Sequence, residues 1–159
     1  MSLIPSVKIF NANEWDKACA LLQHVPIVFT NGCFDILHPG HLLYLQEAAS
    51  LSANFIVGLN SDESIKKLKG PERPINNFHY RSMMLAALPF IDQVIEFKQE
   101  TPLQLIERLK PHILVKGGDY SKEQIVGADF VEKFGGRVIT IPFVEGYSTT
   151  DLIHRIKNS

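Results

Sequence analysis

The run Val28-Phe29-Thr30-Asn31-Gly32-Cys33-Phe34-Asp35-Ile36-Leu37-His38-Pro39-Gly40-His41 decides the fold. With Ile27 before it, the run opens on an apolar segment that has the character of a buried strand. A polar turn containing Gly32 follows. His-Pro-Gly-His then leads directly into residues 42–51, which have the pattern of an amphipathic helix. Strand, loop and helix start, in that order, is where an α/β protein aims backbone N–H groups at a phosphate. Two imidazoles three positions apart at that point put two donors, or two weak cations, where phosphate charge would sit.

Working outward, the chain alternates short apolar runs with helical patterns. Strands are expected at residues 27–29, 55–60, 93–97, 113–116 and 137–141. Helices are expected at 13–22, capped by Asn13, and at 42–51, from Asp62 into Lys69, 78–88, and 101–109 with Pro102 at its first position. A helix weakened near Gly127 is expected at 123–134, and a last one at 148–157 under a Ser148 or Thr149 cap. Alternation of this kind implies an α/β domain with a doubly wound, five-stranded parallel sheet. Residues 1–159 form one domain in this reading, with 1–24 as a helical lead-in. Ligands of such sheets bind beyond the carboxyl ends of the strands. Four polar insertions fall there: 31–41, 60–70, 117–120 and 145–150.

Composition narrows the class. The chain has 159 residues, 45% hydrophobic and 21% charged, enough for one real core. A net charge of −1 gives no general polyanion-binding surface, so no nucleic-acid partner is expected. No segment approaches 18 consecutive apolar residues, and the N-terminus lacks a secretory pattern, so no membrane partner is expected and a cytoplasmic place is. Cys19 and Cys33 make no zinc pattern and are expected as reduced thiols. Neither a P-loop nor a G-x-G-x-x-G string is present.

Gly32-Cys33-Phe34-Asp35 followed by His38-Pro39-Gly40-His41 resembles the signature of the H-x-G-H nucleotidyltransferase superfamily, in its cytidylyltransferase-like branch. The resemblance implies a Rossmann-like nucleotidyltransferase fold. Further strings point within that superfamily: Asn60-Ser61-Asp62-Glu63-Ser64, Leu68-Lys69-Gly70 with Arg73-Pro74-Ile75-Asn76, Val115-Lys116-Gly117-Gly118-Asp119-Tyr120, Ile125-Val126-Gly127-Ala128 and Ser148-Thr149-Thr150. Together, over residues 25 to 155, they resemble the adenylyltransferases of ADP-heptose synthesis. That likeness implies ATP and D-glycero-D-manno-heptose 1-phosphate as substrates, ADP-heptose and pyrophosphate as products, and Mg²⁺ with the nucleotide. It also implies a separate heptose kinase in the same pathway, since this chain has no room for one, and a product destined for lipopolysaccharide or another surface glycan. Relatives are often dimers, so the resemblance makes a homodimer one option and leaves the oligomeric state open.

The resemblance also distributes roles. His38, His41 and Lys69 are the expected catalytic groups. Asn31, Gly32, Cys33, Phe34, Gly40, Lys67, Gly118, Asp119, Glu145, Ser148 and Thr149 are expected at the nucleotide, with His38 and His41. Asp35, Lys69, Arg81 and Lys116 are expected at the acceptor substrate. Lys67-Leu68-Lys69 matches the family's K-x-K pair, and Arg81 a family arginine; Arg73 is a further cation without such a match. No protein metal ligands are expected: two histidines without an acidic or cysteine partner nearby make no zinc site. Cys33 stands where relatives often carry threonine, so its side chain is not expected as a nucleophile. On their own the residues admit plainer roles: the histidines as loop and helix-start groups, the lysines as a solvated face, Ser148 and Thr149 as helix caps. One departure stands out. Cytidylyltransferases usually place an arginine three residues before the glycine of Glu145-Gly146, and this chain has Phe143. That counts against the alternative of a glycerol-3-phosphate cytidylyltransferase. A non-catalytic nucleotide-binding domain is the alternative of another class.

Overall fold

The computed structural model describes residues 8–22, 25–118 and 120–159. Expectations for residues 1–7, 23–24 and Asp119 lie outside the described residues.

Six parallel strands make one sheet, in the order β1-β4-β3-β2-β5-β6. They are β1 (Ile9–Phe10), β2 (Ile27–Gly32), β3 (Asn54–Asn60), β4 (Gln93–Phe97), β5 (Ile113–Gly117) and β6 (Arg137–Ile141). The expected count of five is therefore corrected to six. The added edge strand is two residues long, too short for periodicity to show. It forms because Ile9 and Phe10 pair with Val94 and Ile95 of β4. Lys8 and Trp15 lock it, donating to the carbonyls of Ile91 (2.7 Å) and Glu96 (2.8 Å).

Helices α1 (Trp15–Ala20), α2 (Pro39–Ala49), α3 (Asp62–Lys69), α4 (Phe78–Ala86), α5 (Leu103–Leu109), α6 (Ala128–Lys133) and α7 (Thr149–Lys157) complete the fold. The expected 123–134 segment breaks at Gly127, which adopts φ +87, into a 3-10 turn and α6. The strands alternate their burial between two apolar layers, as period-two side chains must. Phe29, Ile56, Ile95 and Leu114 pack with Ala18, Leu105, Ile106, Leu109 and Val131 from α1, α5 and α6. Val28, Val57, Val94 and Val115 pack on the other face with Tyr44, Leu45, Ala48 and Leu85 from α2 and α4. Each fully buried Leu or Ile stabilises by about 1.5–3 kcal/mol, and these layers fix the strands that carry the site loops.

β2 pairs with β3 on one side and β5 on the other, so the winding direction reverses between β2 and β5. The crevice beyond their carboxyl ends is the topological switch point, where ligands of doubly wound sheets bind.

Candidate active site

A cleft of about 430 Å³ opens at that switch point. Its walls come from the turn after β2, the first turn of α2, Lys69 at the end of α3, the end of β5, and the start of α7.

Helix α2 begins at Pro39, three residues earlier than the sequence pattern suggests, because His38 is its N-cap and Pro39 its first residue. The His41 amide donates to the His38 Nδ1 at 3.3 Å. Gly40 and His41 thus lie in the first helical turn, where N–H groups lack helical partners. The two imidazoles stack, with centroids 3.7 Å apart and planes inclined 18°. Phe34 meets His41 edge-on at 5.3 Å, and Tyr147 lies parallel to His38 at 6.1 Å. Gly40 permits this closeness: a Cβ there would stand 2.9 Å from the Tyr147 Cβ. Phe34 itself adopts φ +43, a left-handed conformation that costs a non-glycine residue about 1 kcal/mol or more and that recurs at functional sites.

Burial pushes the His41 imidazole down to about 4, with the His38 ring and the Lys69 ammonium acting in the same direction. The Ile36 carbonyl pulls weakly the other way. His41 Nδ1 is buried without a hydrogen-bond partner. Burial lowers His38 as well. Both rings are therefore neutral at pH 7. His38, accepting at Nδ1, carries its proton on Nε2 and can donate from there.

The α7 start adjoins the α2 start, with Tyr147 against Gly40 and His38. Ser148 caps α7, its hydroxyl accepting the Asp151 amide at 3.3 Å, and the Thr149 hydroxyl donates to the Ile36 carbonyl at 3.5 Å. That contact ties the second signature to the first. Lys69 and Lys116 line the cleft, and neither has a carboxylate partner among the described residues. Lys116 approaches the Asn31 side-chain oxygen at 3.5 Å, and burial lowers its ammonium below the usual lysine range. Burial likewise raises the Cys33 thiol against the pull of Lys69, Arg81 and Arg73. A thiol held protonated in this way is a poor nucleophile, as the threonine often found at this position in relatives also implies.

The structure gathers Asn31, Gly32, Cys33, Phe34, Asp35, His38, Gly40, His41, Lys69, Lys116, Ser148 and Thr149 around one cleft. Other expected site residues stand elsewhere, or line the cleft and act differently. Arg81 is fully buried and lies outside the cleft lining. It donates to the carbonyls of Asn76, Cys33 and Asn60 and to the Asp62 carboxylate, so it braces the turn rather than meeting substrate. Asp35 lines the cleft but spends both oxygens on Arg73 Nε (2.7 Å) and on the amides of Ile75 and Asn76. Burial would raise its carboxyl, yet those donors together hold it below the usual range. Lys67 and Glu145 are exposed and outside the lining, as is the buried Gly118. Lys67 and Lys69 diverge because residues two apart on a helix point to different sides.

Five lining residues carry no site role in the sequence reading: Tyr44 lies outside the quoted strings, Arg73 and Tyr120 lie within them, and Phe143 and Tyr147 lie beside the second signature. The Tyr44 hydroxyl is 2.6 Å from Thr30 Oγ1 and is pushed up to about 12, chiefly by burial. Phe143 packs over Gly117 and Gly118, where a Cβ would approach its ring to 2.8 and 2.7 Å. The two adjacent glycines and the aromatic were the only available signal for that platform. Among the described residues the lining holds one carboxylate, Asp35, and no group of three or more acidic, histidine or cysteine side chains forms a metal cage. The described donors therefore do not fit a protein-held Mg²⁺. No described helix is long and apolar enough to cross a membrane.

Comparison with known proteins gives the same picture. The family model described as cytidylyltransferase-like matches residues 29–155. The bifunctional protein HldE of Trichlorobacter lovleyi is 56% identical over 130 residues, which are 82% of this chain and 26% of that protein. HldE of Helicobacter hepaticus is 53% identical over 138 residues, 87% of this chain and 28% of that protein. The chain thus spans about a quarter of the length of these curated relatives. Among solved structures, the lipopolysaccharide core biosynthesis protein of Thermoplasma volcanium superposes with a TM-score of 0.60 at 26% identity, over 78% of this chain and 99% of that one. Pantothenate synthetase of Thermus thermophilus shares the fold alone, with a TM-score of 0.59 at 15% identity over 86% of this chain and 62% of that one. The family match takes in the β2 turn, both histidines and the α7 cap, and on that ground the chain belongs to the cytidylyltransferase-like family.

Proposed function

We propose that this chain is an adenylyltransferase that joins ATP to D-glycero-D-manno-heptose 1-phosphate, giving ADP-heptose and pyrophosphate. The observation that carries the reading is the stacked His38–His41 pair set beside the α7 start in a cleft that also holds Lys69 and Lys116. Its chemistry suits a triphosphate. The Ser148 cap region offers N–H groups and the positive end of a helix dipole, and the imidazoles offer neutral donors.

An acceptor phosphate oxygen attacks the α-phosphorus in line. The new P–O bond forms as the bond to the α–β bridging oxygen breaks, and its electron pair leaves with pyrophosphate. No proton has to move. The chain's work is positioning and stabilisation of the charge growing on the leaving group. His38 Nε2–H, His41, Lys69 and the α7 start do this. Mg²⁺ carried by the nucleotide would offset phosphate charge, and no described side chain is assigned to hold it. The Phe143 ring, where cytidylyltransferases carry arginine, favours ATP over CTP. A kinase activity supplies the sugar 1-phosphate.

Incubation with ATP, Mg²⁺ and the heptose phosphate is expected to yield ADP-heptose and pyrophosphate in equal amounts. His41→Asn should slow that turnover about a hundredfold. Near-normal turnover in the variant, or pyrophosphate without the sugar nucleotide, would contradict the reading.

A further inference from the structure

Arg73 sits in the loop between α3 and α4, and the proposed reaction has not yet used it. The loop is fastened to the β2 turn through Asp35. Its carboxylate accepts from Arg73 Nε (2.7 Å) and from the amides of Ile75 (2.9 Å) and Asn76 (2.8 Å), while the Asn76 side chain donates to the Asp35 carbonyl (2.8 Å). A two-point grip on backbone amides would already hold the loop. The guanidinium adds something the loop does not require: only its Nε is matched. Nη2 is buried without a partner, and the side chain, 14% exposed, lines the cleft. A buried donor left unmatched is costly to the fold. Arg81 nearby gives the contrast, with every nitrogen donating to a protein acceptor. Arg73 is thus a charged fork with spare donors, fixed in direction by a buried carboxylate.

The positions of the other cations say what the fork is for. Arg73, Lys69 and Lys116 all line the cleft together with Cys33, and the charges of Lys69 and Arg73 reach its thiol. Three cations with donors to spare therefore share the cleft with Cys33, since Arg81, whose charge also reaches that thiol, spends every nitrogen on protein acceptors. The His38, Ser148 and Thr149 donors belong to the part of the lining formed by the α2 and α7 starts. The triphosphate engages that part, which leaves Arg73 and Lys116 for a second anion, with Lys69 shared between the two. A phosphomonoester dianion has the charge and the spread of oxygens that a guanidinium fork and two ammonium groups match best.

Resting on the transferase reading above, we propose that Arg73 is a substrate-binding residue. Clamped at Nε by Asp35, it holds the phosphomonoester group of the acceptor together with Lys69 and Lys116. Asp35 is then a positioning residue, and it acts on the acceptor only through Arg73.

The test titrates inorganic phosphate into the full chain already saturated with α,β-methylene-ATP, so that the triphosphate subsite is filled. Wild type is expected to bind phosphate. Arg73→Gln should weaken that binding roughly tenfold, as loss of a charged hydrogen bond implies, and shift the affinity for the nucleotide analogue less than about twofold. Arg73→Lys keeps the charge but cannot span Asp35 and the phosphate together, so it should fall between the two. In turnover, Arg73→Gln should raise the acceptor KM with kcat nearly unchanged, and Asp35→Asn should move the acceptor KM in the same direction. Several results would overturn the proposal: no phosphate bound by the wild-type complex, wild-type phosphate affinity in Arg73→Gln or Arg73→Lys, or equal losses for phosphate and nucleotide. If phosphate binding depends on Arg73 but the heptose phosphate is not turned over, the sugar assignment fails and the role of Arg73 stands.

Discussion

Burial keeps both rings of the histidine pair neutral, with the His38 ring adding to the effect at His41, and that has a measurable consequence for the free protein. His41 is depressed from 6.5 to about 4 in the folded state. Between those values the unfolded chain binds a proton that the folded chain refuses, so stability rises with pH across the window and is lost as pH falls from about 6.5 toward 4. For a half-buried ring the loss is roughly 1–2 kcal/mol once solvent screening is allowed for. Urea unfolding between pH 4 and 7 should show it in wild type, with a flatter profile in His41→Asn. An equally steep profile in the variant would place the titrating group elsewhere. A bound polyphosphate reverses the balance, because negative charge beside the ring favours its cation.

At the scale of elements, helix starts carry the site. Both α2 and α7 begin at the cleft, and each uses a side chain to cap its own first turn. Ser148→Ala should therefore lower stability by about 1 kcal/mol through the lost cap and also weaken ATP binding, with Ser148→Thr restoring most of both. Calorimetric melting and nucleotide titration check the two effects; a loss of stability with unchanged ATP affinity would leave Ser148 a cap only. The same elements show what the sequence made legible. Strands β3 to β6 stand out because each is a run of β-branched or aromatic residues between polar breaks. β1 does not, since two residues have no period and only pairing with β4 makes them a strand. The α2 start was hidden because Pro39-Gly40 looks like a break, although proline at a first helical position is favourable and His38 caps it. The motif residues Gly32 to His41 were readable because they are contiguous. Tyr44, Phe143 and Tyr147 reach the cleft only through tertiary packing.

For the whole molecule, the crevice at the switch point depends on braces that no local pattern reveals. Arg81 is the chief one. Its side chain joins the β2 turn, the end of β3, the start of α3 and the loop before α4, and none of it reaches solvent. Its place in a family pattern suggested substrate contact, because sequence shows that a cation is present and not which way it points. Arg81→Met should cost about 3 kcal/mol or more in urea unfolding, since it leaves three carbonyls and the Asp62 carboxylate without their donor. Wild-type stability with a raised acceptor KM would return Arg81 to the substrate. The central claim for the molecule is that the cleft transfers an adenylyl group to a sugar phosphate. The most direct measurement is pyrophosphate release with Mg²⁺, crossing ATP and CTP against heptose 1-phosphate and glycerol 3-phosphate. Release with ATP and the heptose phosphate alone is the predicted result; release that requires CTP, or none with any pair, would contradict it.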